Sequence, residues 1–233
     1  MALRKEEIAR KLLHLFALLM PAGIFYLPRF GAPDAVPIGI LAFLLAGSIA
    51  VESLRFRIPA VQKIFFVCFG RLLRQEETEK VTGSTYVIAA ALLCSLIFIN
   101  DKHKYISFIV LTIFILGDAI AAIVGLSVGR IKIGRKSLEG SLACFAMCMI
   151  LFYALFPCLP GVLDVYGGKV PFLLALAASL STTVFELIPL KITGKLTIND
   201  NLAVPVITGG IMLLMEKTAP AAEAAEKLSF LWN

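Results

Sequence analysis

Charge is scarce in this chain. Of its 233 residues only 16% are Asp, Glu, Lys or Arg, while 59% are hydrophobic and the mean hydropathy is +0.91. Soluble domains carry roughly a quarter charged residues, so the composition excludes an ordinary water-soluble globule. The five cysteines, Cys68, Cys94, Cys144, Cys148 and Cys158, show no C-x-x-C spacing; they read as small packing residues. No G-x-x-x-x-G-K-[ST] string and no H-R-D or D-F-G set occurs, which excludes the familiar soluble nucleotide folds. An internal repeat is also missing, as are low-complexity tracts, long linkers and any soluble domain. One integral membrane domain over residues 1–233 accounts for these absences, with an Ala/Glu-rich tail at 219–233 expected to lie on the surface.

What the chain has in abundance is apolar runs. A bilayer span takes about 20 mostly apolar residues, fewer when flanking side chains snorkel. Seven stretches qualify: Leu12 to Leu27, Val36 to Leu54, Ser84 to Ile99, Tyr105 to Val128, Leu138 to Phe156, Pro171 to Ile188 and Leu202 to Met215. Gln62, Lys63, Arg71 and Arg74 interrupt an eighth, Ile58 to Leu73, which predicts an amphipathic helix at the membrane surface. The expected fold is therefore an all-α polytopic bundle of about seven transmembrane helices plus one interfacial helix. A basic segment precedes the first run, as in a secretory signal. Glu6, Glu7 and Pro21, and the lack of a small-x-small cleavage site, predict a retained span instead.

Cytoplasmic loops retain an excess of lysine and arginine. With the N-terminus inside, sixteen of the 22 basic residues fall on inner segments and six on outer ones, which predicts an N-in, C-out chain. On that topology the polar residues collect at the cytoplasmic side. Glu52 and Arg55 close the second span, Thr82 opens the third, Glu139 the fifth, and Glu186 closes the sixth; Asp200 and Asn201 open the seventh. A transporter more often distributes such groups around a midplane site between repeated halves. One-sided clustering suits an enzyme that joins a soluble reagent to a membrane-dissolved one.

Asp118 is the costliest of these residues. It lies inside the apolar run of the fourth span, where an ionised carboxylate costs several kcal/mol unless a cavity, a partner or a metal receives it. Asp118, Ala122, Gly125 and Gly129 follow at helical spacing, so one face carries the carboxylate and then a strip of small residues. That strip suits either a ligand or a close helix contact, and the simple alternative for Asp118 is pairing with a buried lysine or arginine. The next segment holds Arg130, Lys132, Arg135 and Lys136. Its glycines free the backbone, and Ser137 to Ser141 starts a helix whose amides can receive an anion. Triphosphate transfer needs neutralised phosphates and a divalent cation on carboxylates, roles that Asp118 and Glu139 suit; the alternative for the basic segment is contact with anionic lipid headgroups. Lys11 and His14, at the start of the first span, suit phosphate contact or interfacial anchoring.

Taken together, Gly117-Asp118-Ala119-Ile120-Ala121-Ala122-Ile123-Val124-Gly125, then Gly129-Arg130 and Arg135-Lys136-Ser137-Leu138-Glu139-Gly140-Ser141, resemble the signature of the dolichol kinase, phytol kinase and CTP-dependent diacylglycerol kinase family. Arg10-Lys11 with His14, Thr82-Gly83-Ser84-Thr85, Glu186 and Asp200-Asn201-Leu202-Ala203-Val204-Pro205 extend the resemblance over nearly the whole chain. The related CTP:phosphatidate cytidylyltransferases share the Gly-Asp and Lys-x-x-Glu-Gly elements but add a C-terminal signature containing histidine, and this chain has no histidine after His103.

The resemblance implies transfer of the γ-phosphate of CTP to the hydroxyl of a membrane lipid alcohol (polyprenol, phytol or diacylglycerol) at the cytoplasmic face of a prokaryotic inner membrane. It implies Mg²⁺ on Asp118 with Glu139 or Asp200, and phosphate contact by Gly129, Arg130, Lys132, Arg135, Lys136, Ser137, Gly140 and Lys11. Asp200 or Glu186 would accept the hydroxyl proton, supported by His14, Glu52, Arg55, Thr82 and Asn201. CDP-diacylglycerol synthesis and non-enzymatic transport are the alternatives. The partners expected are CTP, the lipid alcohol and membrane lipids, with no nucleic acid; oligomeric state and the alcohol's identity are not legible.

Overall fold

A computed structural model describes residues 10, 11, 14–70, 73, 75–188, 190–193 and 196–230. Arg4, Lys5, Glu6, Glu7, Arg71, Arg74 and Lys195, used above for topology, lie outside the described residues. The chain is all-α apart from two short hairpins. A 3₁₀ turn at Leu15–Leu18 leads into α1 (Leu19–Arg29); α2 (Ala35–Arg57), α3 (Pro59–Phe69), α4 (Gly83–Ile97) and α5 (Lys104–Ser127) follow. Strands β1 (Lys132–Ile133) and β2 (Lys136–Ser137) form the first hairpin and run into α6 (Leu138–Ile150), which ends in a π turn at Leu151–Leu155 and a 3₁₀ turn at Phe156–Cys158. After α7 (Phe172–Leu187), β3 (Lys191–Thr193) pairs with β4 (Leu196–Thr197), and α8 (Asp200–Phe230) completes the chain.

Among the described residues three helices are long and apolar enough to cross a bilayer: Ala35–Arg57, Lys104–Ser127 and Leu138–Cys158. The apolar helices Leu15–Arg29, Gly83–Ile97 and Phe172–Leu187 are shorter than that length, and the seventh apolar run, Leu202 to Met215, falls within the first half of the longer α8. Residues 219–230 continue that helix, so the expected tail is an extension of α8.

Helix α5 is the axis of the bundle. It packs against α1, α4, α6, α7 and α8, and a continuous run from Tyr105 to Ile115 is buried. A helix hydrophobic all round belongs in such a position. Its closest neighbour is α6, and glycine sets that approach: a Cβ on Gly140 would stand 2.6 Å from the Ala121 carbonyl oxygen, and one on Gly117 2.8 Å from Cys144 Sγ. The small strip after Asp118 is used in the same contact, since a Cβ on Gly125 would meet Ser137 Oγ at 2.9 Å. Gly140 therefore lets α6 approach the α5 backbone, and Gly125 and Gly129 make room for Ser137. By contrast, α3 packs chiefly on α2 and buries none of its residues, turning Ile64, Val67 and Phe69 outward. Where an amphipathic surface helix was expected over Ile58 to Leu73, the structure has an eleven-residue apolar helix, Pro59–Phe69.

Candidate functional site: an ion cluster at one end of the bundle

The hairpin between α5 and α6 is built by its own backbone chemistry. Lys132 pairs with Ser137 and Ile133 with Lys136, and Gly134 makes the turn with a φ of 61°, a conformation glycine adopts without steric cost. Glu139 anchors the approach: its Oε1 accepts the amides of Arg130 at 2.9 Å and Ile131 at 3.1 Å. Ser137 is the N-cap of α6 and its Oγ accepts the Gly140 amide at 3.1 Å, the usual satisfaction of a helix N-terminus. Arg130, Lys132 and Arg135 stand exposed around this frame, and Lys132 Nζ reaches the Gly125 carbonyl at 3.5 Å. Two expectations change here. The Gly140 amide at the start of α6 is already occupied by Ser137, and the Glu139 carboxylate is a backbone anchor for the hairpin.

Beneath the hairpin lie two ion groups. The buried Lys11 ammonium, exposed by only 3%, pairs with Asp118 Oδ2, and His14 Nε2 stands 3.9 Å from the same oxygen. Pairing with a buried lysine is therefore how the chain accommodates Asp118. Lys136 makes the second group: its Nζ donates to the Glu186 carbonyl oxygen, and lies 2.8 Å from Glu186 Oε1 and 3.0 Å from Asp200 Oδ2. The hairpin is thus tied to the end of α7 and the start of α8. The charge of Lys136 also acts on Asp118, and those of Asp118 and Asp200 act on Glu186. The two groups are one electrostatic unit of three carboxylates and two ammonium ions. Burial works against the Lys136 ammonium, but the Glu186 and Asp200 charges outweigh it and hold that side chain protonated above the ordinary lysine range.

Glu52, Arg55, Thr82 and Asn201 do something else. Arg55 Nε lies 2.5 Å from Glu52 Oε2, and its other nitrogens donate to the carbonyls of Glu77, Thr78 and Lys80. Glu52 Oε1 in turn accepts the Thr82 amide at 2.9 Å. A fully buried guanidinium with its donors spread over three carbonyls is a clamp on the segment entering α4. Asn201 Nδ2 donates to the Gly83 carbonyl at 3.0 Å, fastening α8 to the same corner. These residues shape the site's surroundings. Among the described residues no three His, Cys, Asp or Glu side chains converge as a metal would require, so Asp118, Glu139 and Asp200 are not assembled into one cage.

The sequence reading passed over a second polar group. At the opposite end of α5, the Tyr105 and Tyr166 hydroxyls lie 2.6 Å apart and both donate to Glu216 Oε1, with His103 Nε2 3.7 Å from Glu216 Oε2. The available signal was Glu216 itself, a carboxylate directly after an apolar run. It joins the 3₁₀ turn at Asp164–Tyr166 to α8.

No family model and no solved structure matches the chain. It is similar to Uncharacterized protein RP860 of Rickettsia prowazekii (strain Madrid E), at 24% identity over 205 residues that cover 86% of this chain and 90% of the relative.

Proposed function

We propose that this protein is a membrane-embedded CTP-dependent lipid kinase of seven spans, N-terminus inside, working at the cytoplasmic face. The observation that carries the reading is the convergence of Lys11, Asp118, Lys136, Glu186 and Asp200 at the end of the bundle that also bears the cationic hairpin. Buried ion groups cost more than apolar packing of the same volume; five converging charges, with Lys11, Asp118 and Glu186 largely enclosed, in so apolar a chain support a role in chemistry. Exposed Arg130, Lys132 and Arg135 meet the aqueous phase, where a triphosphate arrives, while the apolar bundle beneath admits a lipid alcohol.

In the reaction, the lipid hydroxyl oxygen forms a bond to the γ-phosphorus, the bond from that phosphorus to the β,γ-bridging oxygen breaks, and CDP leaves. Whichever of Glu186 and Asp200 does not hold the metal takes the hydroxyl proton, a role that depends on position more than on basicity. Lys132 and Arg135 neutralise the phosphates. Glu186 Oε1, the Glu186 carbonyl and Asp200 Oδ2 already surround one cation, the Lys136 ammonium, so this oxygen set fits Mg²⁺, which takes one or two carboxylates and completes its shell with water and phosphate. Bound there, Mg²⁺ supplies charge neutralisation at the transferring phosphoryl group.

The test is purified protein in lipid nanodiscs with CTP labelled at the α- or γ-phosphate, Mg²⁺, and separate panels of diacylglycerol, polyprenol and phytol. Label from the γ position in the lipid supports the kinase. Label from the α position with pyrophosphate release means cytidylyl transfer, and no transfer from either position removes the enzymatic reading.

A further inference from the structure

The ion cluster under the hairpin carries an unbalanced charge. Asp118, Glu186 and Asp200 contribute three negative charges against the two positive charges of Lys11 and Lys136. These five groups alone sum to one negative charge. A triphosphate therefore approaches a site whose most central cation is already committed to two carboxylates and a carbonyl. Lys136 is nonetheless accessible, with 30% of its side chain exposed, while the Glu186 side chain is buried at 5%. Lys136 and Asp200 thus face solvent in part, while the Glu186 carboxylate is enclosed.

We propose that Glu186 and Asp200 hold Lys136 in an autoinhibitory contact, and that a polyphosphate gains Lys136 only by displacing these carboxylates from it. This rests on the kinase reading for its biological purpose, though the contact and its competition stand on the geometry alone. The hairpin gives the exchange its direction. Lys136 sits on β2, across from Ile133, and the same two-stranded unit carries the exposed Lys132 and Arg135. An ammonium released from Glu186 and Asp200 stays on the cationic hairpin. Glu139, holding the amides of Arg130 and Ile131, keeps the base of that hairpin in place while its tip exchanges partners.

The experiment measures binding of inorganic tripolyphosphate to the full-length protein in nanodiscs, with EDTA present, by isothermal titration calorimetry. Asp200→Asn keeps the side chain's shape and removes one of the two competitors; it is expected to tighten binding about tenfold, the scale of one partly screened charge at close range. Asp200→Glu, which retains the charge, should bind as the wild type does. The decisive comparison is a double-mutant cycle with Lys136→Met. If Asp200 acts through Lys136, the gain from Asp200→Asn disappears in the Lys136→Met background. An equal gain in both backgrounds would reduce the effect to general repulsion and overturn the proposal, as would wild-type binding as tight as that of Asp200→Asn. Absence of binding in every variant overturns it too. Failure of the kinase reading is distinguishable: the cycle then holds while no γ-label reaches any lipid.

Discussion

Removing Lys11 should strand Asp118. In the folded chain Lys11 is nearly fully buried against Asp118 Oδ2, and the next basic side chain is His14, 3.9 Å from the same oxygen. Taking one partner from a buried pair typically costs 3–5 kcal/mol, because the remaining charge loses its compensation in a poorly hydrated place. Asp118 keeps a little access to water, with 15% of its side chain exposed, so the lower end, about 3 kcal/mol, is the expected loss for Lys11→Met. For a chain of this length each kcal/mol shifts the melting temperature by roughly 2–4 °C, giving a fall of about 6–12 °C in nanodiscs. The double variant Lys11→Met/Asp118→Asn should recover most of that fall, since it removes both charges. A fall below about 2 °C, or a double variant no more stable than the single one, would refute the account of Asp118 as a compensated buried ion.

Glu139→Gln retains an oxygen for the Arg130 and Ile131 amides and should leave lipid phosphorylation within about threefold of wild type, whereas a metal ligand would lose about a hundredfold or more; initial rates with γ-labelled CTP decide it. Arg55→Met deprives Glu52 and three carbonyls of their donor and should cost about 3–5 kcal/mol, read as a lower melting temperature. Because the folded value of Lys136 is raised above the unfolded one, its contribution is complete below the ordinary lysine range, about 10.4, and is lost as pH rises through the higher folded value. A tryptophan introduced by Ile133→Trp, with Trp232→Phe to remove background, should report hairpin release only above that range; release near neutral pH would contradict the ion group.

The apolar runs announced the helices because charge bounds each of them. Tyr105 to Val128 became Lys104–Ser127, and Leu138 to Phe156 became α6 with its terminal turns. Lengths were less legible: the helix read over Ile58 to Leu73 spans Pro59–Phe69, and α7 stopped at Leu187 where Ile188 turns extended. For the site, residue types were readable and partnerships were not. Asp118 demanded a cation, and its isolation in sequence hid that Lys11, 107 residues away, supplies it. Glu139 next to a basic segment suggested a metal ligand, while hairpin geometry, invisible in a residue string, turned its carboxylate to backbone amides.

That reassignment changes what the cluster demands of a ligand. Were Glu139 and Asp118 both free carboxylates, the site would be strongly anionic, and a divalent cation would be needed merely to hold it together. With Glu139 satisfied by amides and Asp118 by Lys11, only Glu186 and Asp200 compete for cations, and Lys136 already answers them. The apo fold is therefore self-compensated apart from one charge. A ligand must improve on an existing ion group to bind. An anion alone improves nothing for the carboxylates, and a cation alone displaces a lysine that then lacks a partner. A cation and a polyphosphate arriving together satisfy both halves of the exchange, which makes their joint binding the favourable route on charge grounds alone.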